Sequence, residues 1–339
     1  MDLDFTEEQD LLRETVRGVC ARHCGLDVVR QLEDDPVGYP EKLWTQLLEL
    51  GVLDPDLTML DKAIVFQELG RALAPSPAFA SAVVSTGALT RAGRPPSADA
   101  IVVPAWLEPE RGFGPSGVTA TFDGTGVTGV KRHVPFASSA DRLLVLTRDG
   151  LVLVDPTADG VTLTQQMSIS SDTQYRVDLD GAPGELAAED YWPLWHDTML
   201  DAIILAAAQA VGGARYALDI TVQYAKDRHQ FDKPLGAFQA LAHYLADAVT
   251  ALDGAELLVW EAAWARSEGR SIAKLAPMAK LFACKTFRDI TAMAQQVFGG
   301  VGFTVEYDIQ LYFRRAKQLQ LSWWDDRYLE ELVAAEVLD

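Results

Sequence analysis

The chain has 339 residues, 49% of them hydrophobic, with 29 basic against 49 acidic residues and a formal net charge of −20. That length suits about two domains around a large core, and the acidic balance argues against a general nucleic-acid surface. Three cysteines, Cys20, Cys24 and Cys284, together with an acidic start (Asp2, Asp4, Glu7, Glu8) in place of a basic, apolar leader, fit a cytoplasmic protein.

Residues 1–98 read as an α-helical domain. Thr6 followed by Glu7, Glu8 and Gln9 is an N-terminal cap with an acidic first turn. Leu11, Leu12, Val16 and Val19 then recur at helical spacing. Pro40-Glu41 opens a second helix, Leu43 to Leu50, closed by Gly51. A third runs from Leu57 to Leu73, ended by Pro75 and Pro77. Residues 99–185 change to short β-rich runs: Ile101–Val103, Gly117–Phe122, Val127–Val134, Leu143–Leu146, Leu151–Val154 and Tyr175–Leu179. Gly, Asp and Pro punctuate them, which predicts a middle β domain, a barrel or sandwich. Residues 186–339 return to long amphipathic helices and read as a helical bundle. The longest uncharged, mostly apolar run, between Asp201 and Arg215, is short of the ~18 residues that span a bilayer, so no membrane partner is expected.

Several familiar signatures fail their context. Gly124, Gly126 and Gly129 spell G-x-G-x-x-G, but Asp123-Gly124 is a hairpin turn and a strand, not a helix, follows. Cys20, His23 and Cys24 share one helix face without a fourth zinc ligand, so no metal site is expected. No H-E-x-x-H or G-x-S-x-G occurs.

Two stretches carry more. Tyr224–Gln239 reads YAKDRHQFDKPLGAFQ, and Gln296–Lys317 reads QVFGGVGFTVEYDIQLYFRRAK. In the second, Gly299, Gly300 and Gly302 permit a tight turn with exposed N–H groups suited to a phosphate. Arg314, Arg315 and Lys317 follow on the next helix; an ordinary helix cap is the plainer alternative.

Together these stretches resemble the acyl-CoA dehydrogenase family. Its members show Y-x-x-x-R-x-x-F-G-x-x-[IL]-x-x-[FH]-Q and, downstream, Q-[IV]-x-G-G-x-G-[FY]-x-x-E-[YF] leading into R-[DR]-A-[KR]. The opening MDLDFTEEQDLLRETVR is similar to the family's first helix. The resemblance implies an α+β fold with N-terminal helices, a middle β domain and a C-terminal bundle. It also implies FAD lying at a subunit interface. By it Arg228 pairs with the pyrophosphate, Phe231 packs beside the adenosine, Gln239 hydrogen-bonds the cofactor, and Gln296, Gly299 and Gly300 cradle its far end.

The catalytic positions do not carry over. In most members the base lies in Y-E-G-T after the A-K pair; counted from Ala316-Lys317, the Glu falls on Trp323 and the Gly on Trp324. In others the Glu lies on the long helix upstream, at Ala202 here, beside a substrate-contacting Arg at Ile203. Neither Trp nor Ala takes a proton. The loop equivalent to T-E-P-x-x-G-S-D reads Leu107-Glu108-Pro109-Glu110-Arg111-Gly112 without the Ser-Asp. Pro135 occupies the Thr/Ser position that hydrogen-bonds the flavin ring, and the Gly-rich loop between the second and third helices is missing from Leu53–Leu60. This asymmetry resembles the unequal subunits of actinobacterial α2β2 sterol side-chain acyl-CoA dehydrogenases. It implies a partner subunit carrying the Glu, a bulky acyl-CoA substrate and an electron-transfer flavoprotein as acceptor. A homo-oligomeric flavoenzyme using Asp325 or Asp326, and a non-catalytic scaffold, are the alternatives.

Overall fold

The computed structural model describes residues 4–168 and 172–338. N-terminal helices, a central mixed sheet and C-terminal helices follow in chain order. The helices α1 (Glu7–His23), α2 (Leu26–Gln31), α3 (Glu41–Glu49), α4 (Met59–Arg71) and α5 (Thr86–Arg91) come first. Thr6 caps α1 as its sequence predicts: its side chain accepts from Gln9 N and the Gln9 side chain returns to the Thr6 N–H. Helix α2 and the π-helical turn Phe79–Ser85 that leads into α5 escape the sequence pattern, because neither carries a full amphipathic period.

The strands are β1 (Val102–Ala105), β2 (Thr121–Phe122), β3 (Gly126–Pro135), β4 (Arg142–Leu146), β5 (Leu151–Val154), β6 (Val161–Gln166) and β7 (Gln174–Ala188). They are ordered β1-β4-β5-β7-β3-β2, with β6 beside β7. The long β7 pairs with β3 and β6 in its first half and with β5 in its second, so it joins two groups of strands. The Gly117–Phe122 run is mostly not strand. A 3-10 turn, Pro115–Gly117, presses Gly117 against the Gly112 carbonyl, where a Cβ would not fit. The Gly124 turn is a hairpin between β2 and β3, with Phe122 opposite Val127.

Then follow α6 (Trp192–Asp227), the two-stranded hairpin β8 (His229–Gln230) and β9 (Lys233–Pro234), α7 (Gln239–Ser267), α8 (Leu275–Phe298), α9 (Ile309–Leu321) and α10 (Asp326–Leu338). Among the described residues, α6 is the one helix long and apolar enough to cross a membrane, and most of its apolar window is buried.

The chain divides into two compact units: Met1–Leu26, Thr58–Ala74 and Ile203–Asp339 in one, Asp27–Leu57 and Pro75–Ala202 in the other. In the first, α4 and α6 touch backbone to backbone. A Cβ at Gly212 would overlap the Gln67 carbonyl, and one at Gly70 the Gln209 carbonyl. Glu68, 3% exposed on α4, takes a two-pronged hydrogen bond from Arg17 of α1 at 2.9 and 2.7 Å. In the second unit, four consecutive carbonyls, Asp34 to Val37, are each held by a side chain: Gln165, Thr173, Ser138 with Tyr175, and Ser139.

Candidate functional site

The two motif segments meet through one aromatic pair. Tyr224, near the end of α6, stacks on Phe298 at the end of α8 with centroids 4.2 Å apart and planes 18° apart. Tyr307 packs edge-on to Phe298 with centroids 5.9 Å apart. The Tyr224 hydroxyl also donates to the Phe298 carbonyl at 3.5 Å. Residues separated by about seventy positions are thereby placed on one end of the same unit.

From this base projects the β8–β9 hairpin. Its two turn residues, Phe231 (φ 51°) and Asp232 (φ 60°), are both left-handed, the conformation of a two-residue type I′ turn. The family pattern has Gly at position 232; Asp tolerates that conformation, whereas Phe at 231 does so at a cost of order 1–3 kcal/mol. Phe231 nevertheless stays 87% exposed at the tip, with an edge contact to Phe238 at 6.3 Å. Leu235 N donates to the Arg228 carbonyl at 2.8 Å and closes the base of the loop. The exposed Arg228 guanidinium has no hydrogen-bond or ion-pair partner among the described residues. Gln239 opens α7 and Gln296 lies in the last turn of α8, both exposed. Gly299 ends α8 at φ 68°, and a Cβ at Gly299 or Gly300 would meet nothing within 4 Å. The chain's own packing leaves the space beside Gly300 open, as close approach of a ligand would require; Gly302, by contrast, is crowded by Phe298 and Gln295. An unpartnered guanidinium, a strained exposed aromatic and an open glycine turn fit a phosphate joined to a flat ring system. The basic residues of α9 take no part in such a turn as a group: Arg315 is 6% exposed and Lys317 Nζ is tied to Gln320 Oε1 at 3.0 Å.

The positions that the family resemblance assigns to a base hold other side chains. Trp324 is fully buried and packs against Tyr328 at 5.2 Å; Trp323 is half-buried. Both are left-handed, at φ 72° and 55°, so Trp324 keeps a glycine-like backbone at the glycine position. Asp325 Oδ1 accepts from Tyr328 N at 3.0 Å and caps α10; Asp326 Oδ2 accepts from Gln320 Nε2 at 2.5 Å. At the alternative position, Ala202 and Ile203 are both 0% exposed. Their acidic neighbour Asp201 pairs with Arg91 at 2.6 Å, and Arg91 also reaches Asp197 at 2.9 Å.

In the β domain Glu108 survives as a structural carboxylate. It is 4% exposed and accepts from Thr119 N, Thr119 Oγ1, Ala120 N and Lys131 Nζ, the last at 2.7 Å. Lys131 also donates to the Leu146 carbonyl at 2.6 Å, and burial, partly offset by Glu108, brings its amine down to about 8. Pro135 ends β3 opposite Gln174, and a register shift between Lys131 and Val134 sets the approach to it. Proline offers neither an N–H nor a hydroxyl there. Sequence reasoning passed over Lys280, whose fully buried ammonium donates to the Trp324 carbonyl at 2.6 Å. Its signal was a lone lysine inside the apolar run LAPMAKLFAC.

Comparison with known proteins decides the family. The sequence profile "Acyl-CoA dehydrogenase, N-terminal domain" matches residues 6–96 and "Acyl-CoA dehydrogenase, C-terminal domain" matches residues 194–325. The chain is 30% identical to acyl-CoA dehydrogenase IpdE2 of Mycolicibacterium smegmatis over 324 residues, 92% of this chain and 93% of the relative. The chain belongs to the acyl-CoA dehydrogenase family. Among solved structures it is similar to the ChsE4-ChsE5 complex of Mycobacterium tuberculosis, with 26% identity and a TM-score of 0.89, covering 100% of this chain and 99% of the other. It is also similar to a variant of the Tcur3481-Tcur3483 steroid ACAD, with 28% identity and a TM-score of 0.86 over 98% and 99% of the two chains.

Proposed function

We propose that this acyl-CoA dehydrogenase chain is one subunit of a heteromeric FAD-dependent enzyme that desaturates the α,β-bond of a bulky acyl-CoA of the steroid side-chain class. The observation that carries this reading is an asymmetry within one chain. The residues that the family resemblance assigns to the clamp, Arg228, Phe231, Gln239, Gln296 and Gly300, are exposed and Gly299 half-exposed, while Trp323 and Ala202 fall at the two positions it assigns to a base. An exposed clamp suits a cofactor shared with a neighbouring subunit. Arg228 supplies a charge-assisted bond to the pyrophosphate, Phe231 a flat apolar face to the adenosine, and the open glycine turn lets the backbone approach. When bound, FAD supplies the hydride acceptor. A partner acyl-CoA dehydrogenase-like subunit supplies the catalytic Glu, and an electron-transfer flavoprotein takes the electrons. The two heteromeric or steroid-associated relatives support the partner and the substrate class.

Co-expression tests this. The chain purified alone should be colourless or nearly so. Purified with an acyl-CoA dehydrogenase-like chain encoded beside it, the complex should be yellow and desaturate steroid side-chain CoA thioesters. A yellow, stoichiometrically loaded homo-oligomer from this chain alone refutes the heteromer. A colourless assembled complex without turnover leaves a scaffold that kept the fold.

A further inference from the structure

Lys280 sits in the middle of α8, 0% exposed. Its hydrogen bond goes to a backbone carbonyl, that of Trp324, at 2.6 Å, and no carboxylate reaches it at ion-pair distance among the described residues. Cys284, Asp326 and Asp325 are the titratable groups facing it, and burial holds its amine below its ordinary pKa. An ammonium buried without a counter-ion opposes folding, and its hydrogen bond to the Trp324 carbonyl offsets part of that cost. One turn further along α8, the buried Cys284 thiol donates to the Leu319 carbonyl at 3.6 Å. Helix α8 thus presents two donors, four residues apart, to the end of α9 and to the turn after it.

That turn is the strained part. Trp323 and Trp324 are consecutive left-handed residues, and neither is Gly, Asn or Asp. Such conformations persist where surrounding contacts over-determine them. The flanks are pinned by Gln320 to Asp326 and by the Asp325 cap on Tyr328 N. The carbonyl between the tryptophans and the cap is held by Lys280.

We infer that Lys280 is the positioning residue of the Trp323–Trp324 turn: its N–H, donated to the Trp324 carbonyl, fixes the left-handed pair and so the direction in which the side chain at position 323 leaves the backbone. By the family resemblance, position 323 is the one that corresponds to the base of most members. Lys280 therefore preserves the aim of that position although the side chain there is now a tryptophan. The inference goes beyond the heteromer reading and does not rest on it.

Lys280→Met tests it in the protein as purified, with or without its partner. Methionine fills a similar volume, lacks the donor and removes the buried charge. Hydrogen exchange followed by mass spectrometry should show the 321–328 segment exchanging at least tenfold faster. The thermal midpoint should be unchanged or raised, and α1 should keep its protection. Lys280→Gln, whose amide still donates, should restore part of the protection and serves as the test variant if the methionine protein does not fold. Unchanged exchange in 321–328 overturns the assignment. So does a lowered midpoint with exchange rising equally across α8, α9 and α10, which is the mark of a side chain that only fills space.

Discussion

Tyr224 and Phe298 stack at 4.2 Å, and that contact is what turns two separate sequence motifs into one surface. Tyr224 opens the stretch that contains Arg228 and Phe231; Phe298 precedes Gly299 and Gly300 by one and two positions. Neither ring belongs to the clamp itself. The stack holds the hairpin and the glycine turn at a fixed spacing, which the cofactor proposed to be shared with a partner would require of both.

Arg228→Ala should weaken FAD binding to the assembled complex by roughly tenfold to hundredfold, the range for losing a charge-assisted bond to a phosphate. Because the Arg228 guanidinium has no hydrogen-bond or ion-pair partner among the described residues and its backbone bonds survive the change, the thermal midpoint of the isolated subunit should not move. Flavin titration of the complex and a melt of the subunit check both halves. Unchanged flavin affinity removes Arg228 from the clamp.

Phe231→Asn separates strain from binding. Asparagine accepts the left-handed conformation that phenylalanine resists, so the subunit should gain up to about 1 kcal/mol of stability. FAD affinity of the complex should fall, because the exposed ring is lost. A gain in stability with flavin affinity intact would mean that the ring serves another purpose.

Asp325→Asn combined with Asp326→Asn should leave turnover of the complex in place. Asparagine still caps a helix and still bonds Gln320, so the α10 start survives, while any carboxylate base is gone. Steady-state turnover with flavin content measured alongside decides the matter. A thousandfold fall at normal flavin loading makes one of these aspartates the base and displaces the partner-supplied Glu.

Glu108→Gln should cost about 3–5 kcal/mol at neutral pH, because it leaves the buried Lys131 ammonium unpaired. The acid dependence has a definite sign. Burial pushes the Glu108 carboxyl up, but Lys131, the Ala120 N–H and Thr119 outweigh it, and the net value lies below the ordinary 4.5. The unfolded chain therefore takes up this proton first. Stability from Glu108 is fully present above pH 4.5 and is lost as pH falls through the lower folded value. The gap in melting temperature between wild type and variant should close over that interval. A gap that persists at the acid end would show that Glu108 keeps its partners while protonated.

Much of this was legible in the residues. The Thr6 cap and the Asp123-Gly124 hairpin rest on local chemistry, and the structure holds them as written, whereas the clamp roles came from the family resemblance alone. The length of β7 was not, because its second half, Gly184–Ala188, is a strand through pairing with β5 and not through its own alternation. The start of α6 at Trp192 was equally hidden. Lys280 was illegible as a positioning group, because its acceptor is a backbone carbonyl forty-four residues away, and a main-chain atom leaves no mark in the sequence. The left-handed φ of Trp324 was not foreseen either, although the count that puts a family glycine at that position carried the signal for it.

The way the two compact units are drawn from the chain has a consequence for synthesis. The unit built from residues 27–57 and 75–202 is complete once about the first two hundred residues have left the ribosome. Helices α1 and α4 emerge earlier, yet most of the unit they belong to is encoded after position 202. The faces that bury Val16, Val19 and Cys20 on one and Ile64, Val65 and Leu69 on the other pack α1 against α4, while α7, which also packs on α4, arrives only later. During translation all residues of the β-rich unit are therefore made while α1 and α4 still lack the later helices of their own unit, the interval in which a chaperone that shields apolar helices has something to hold.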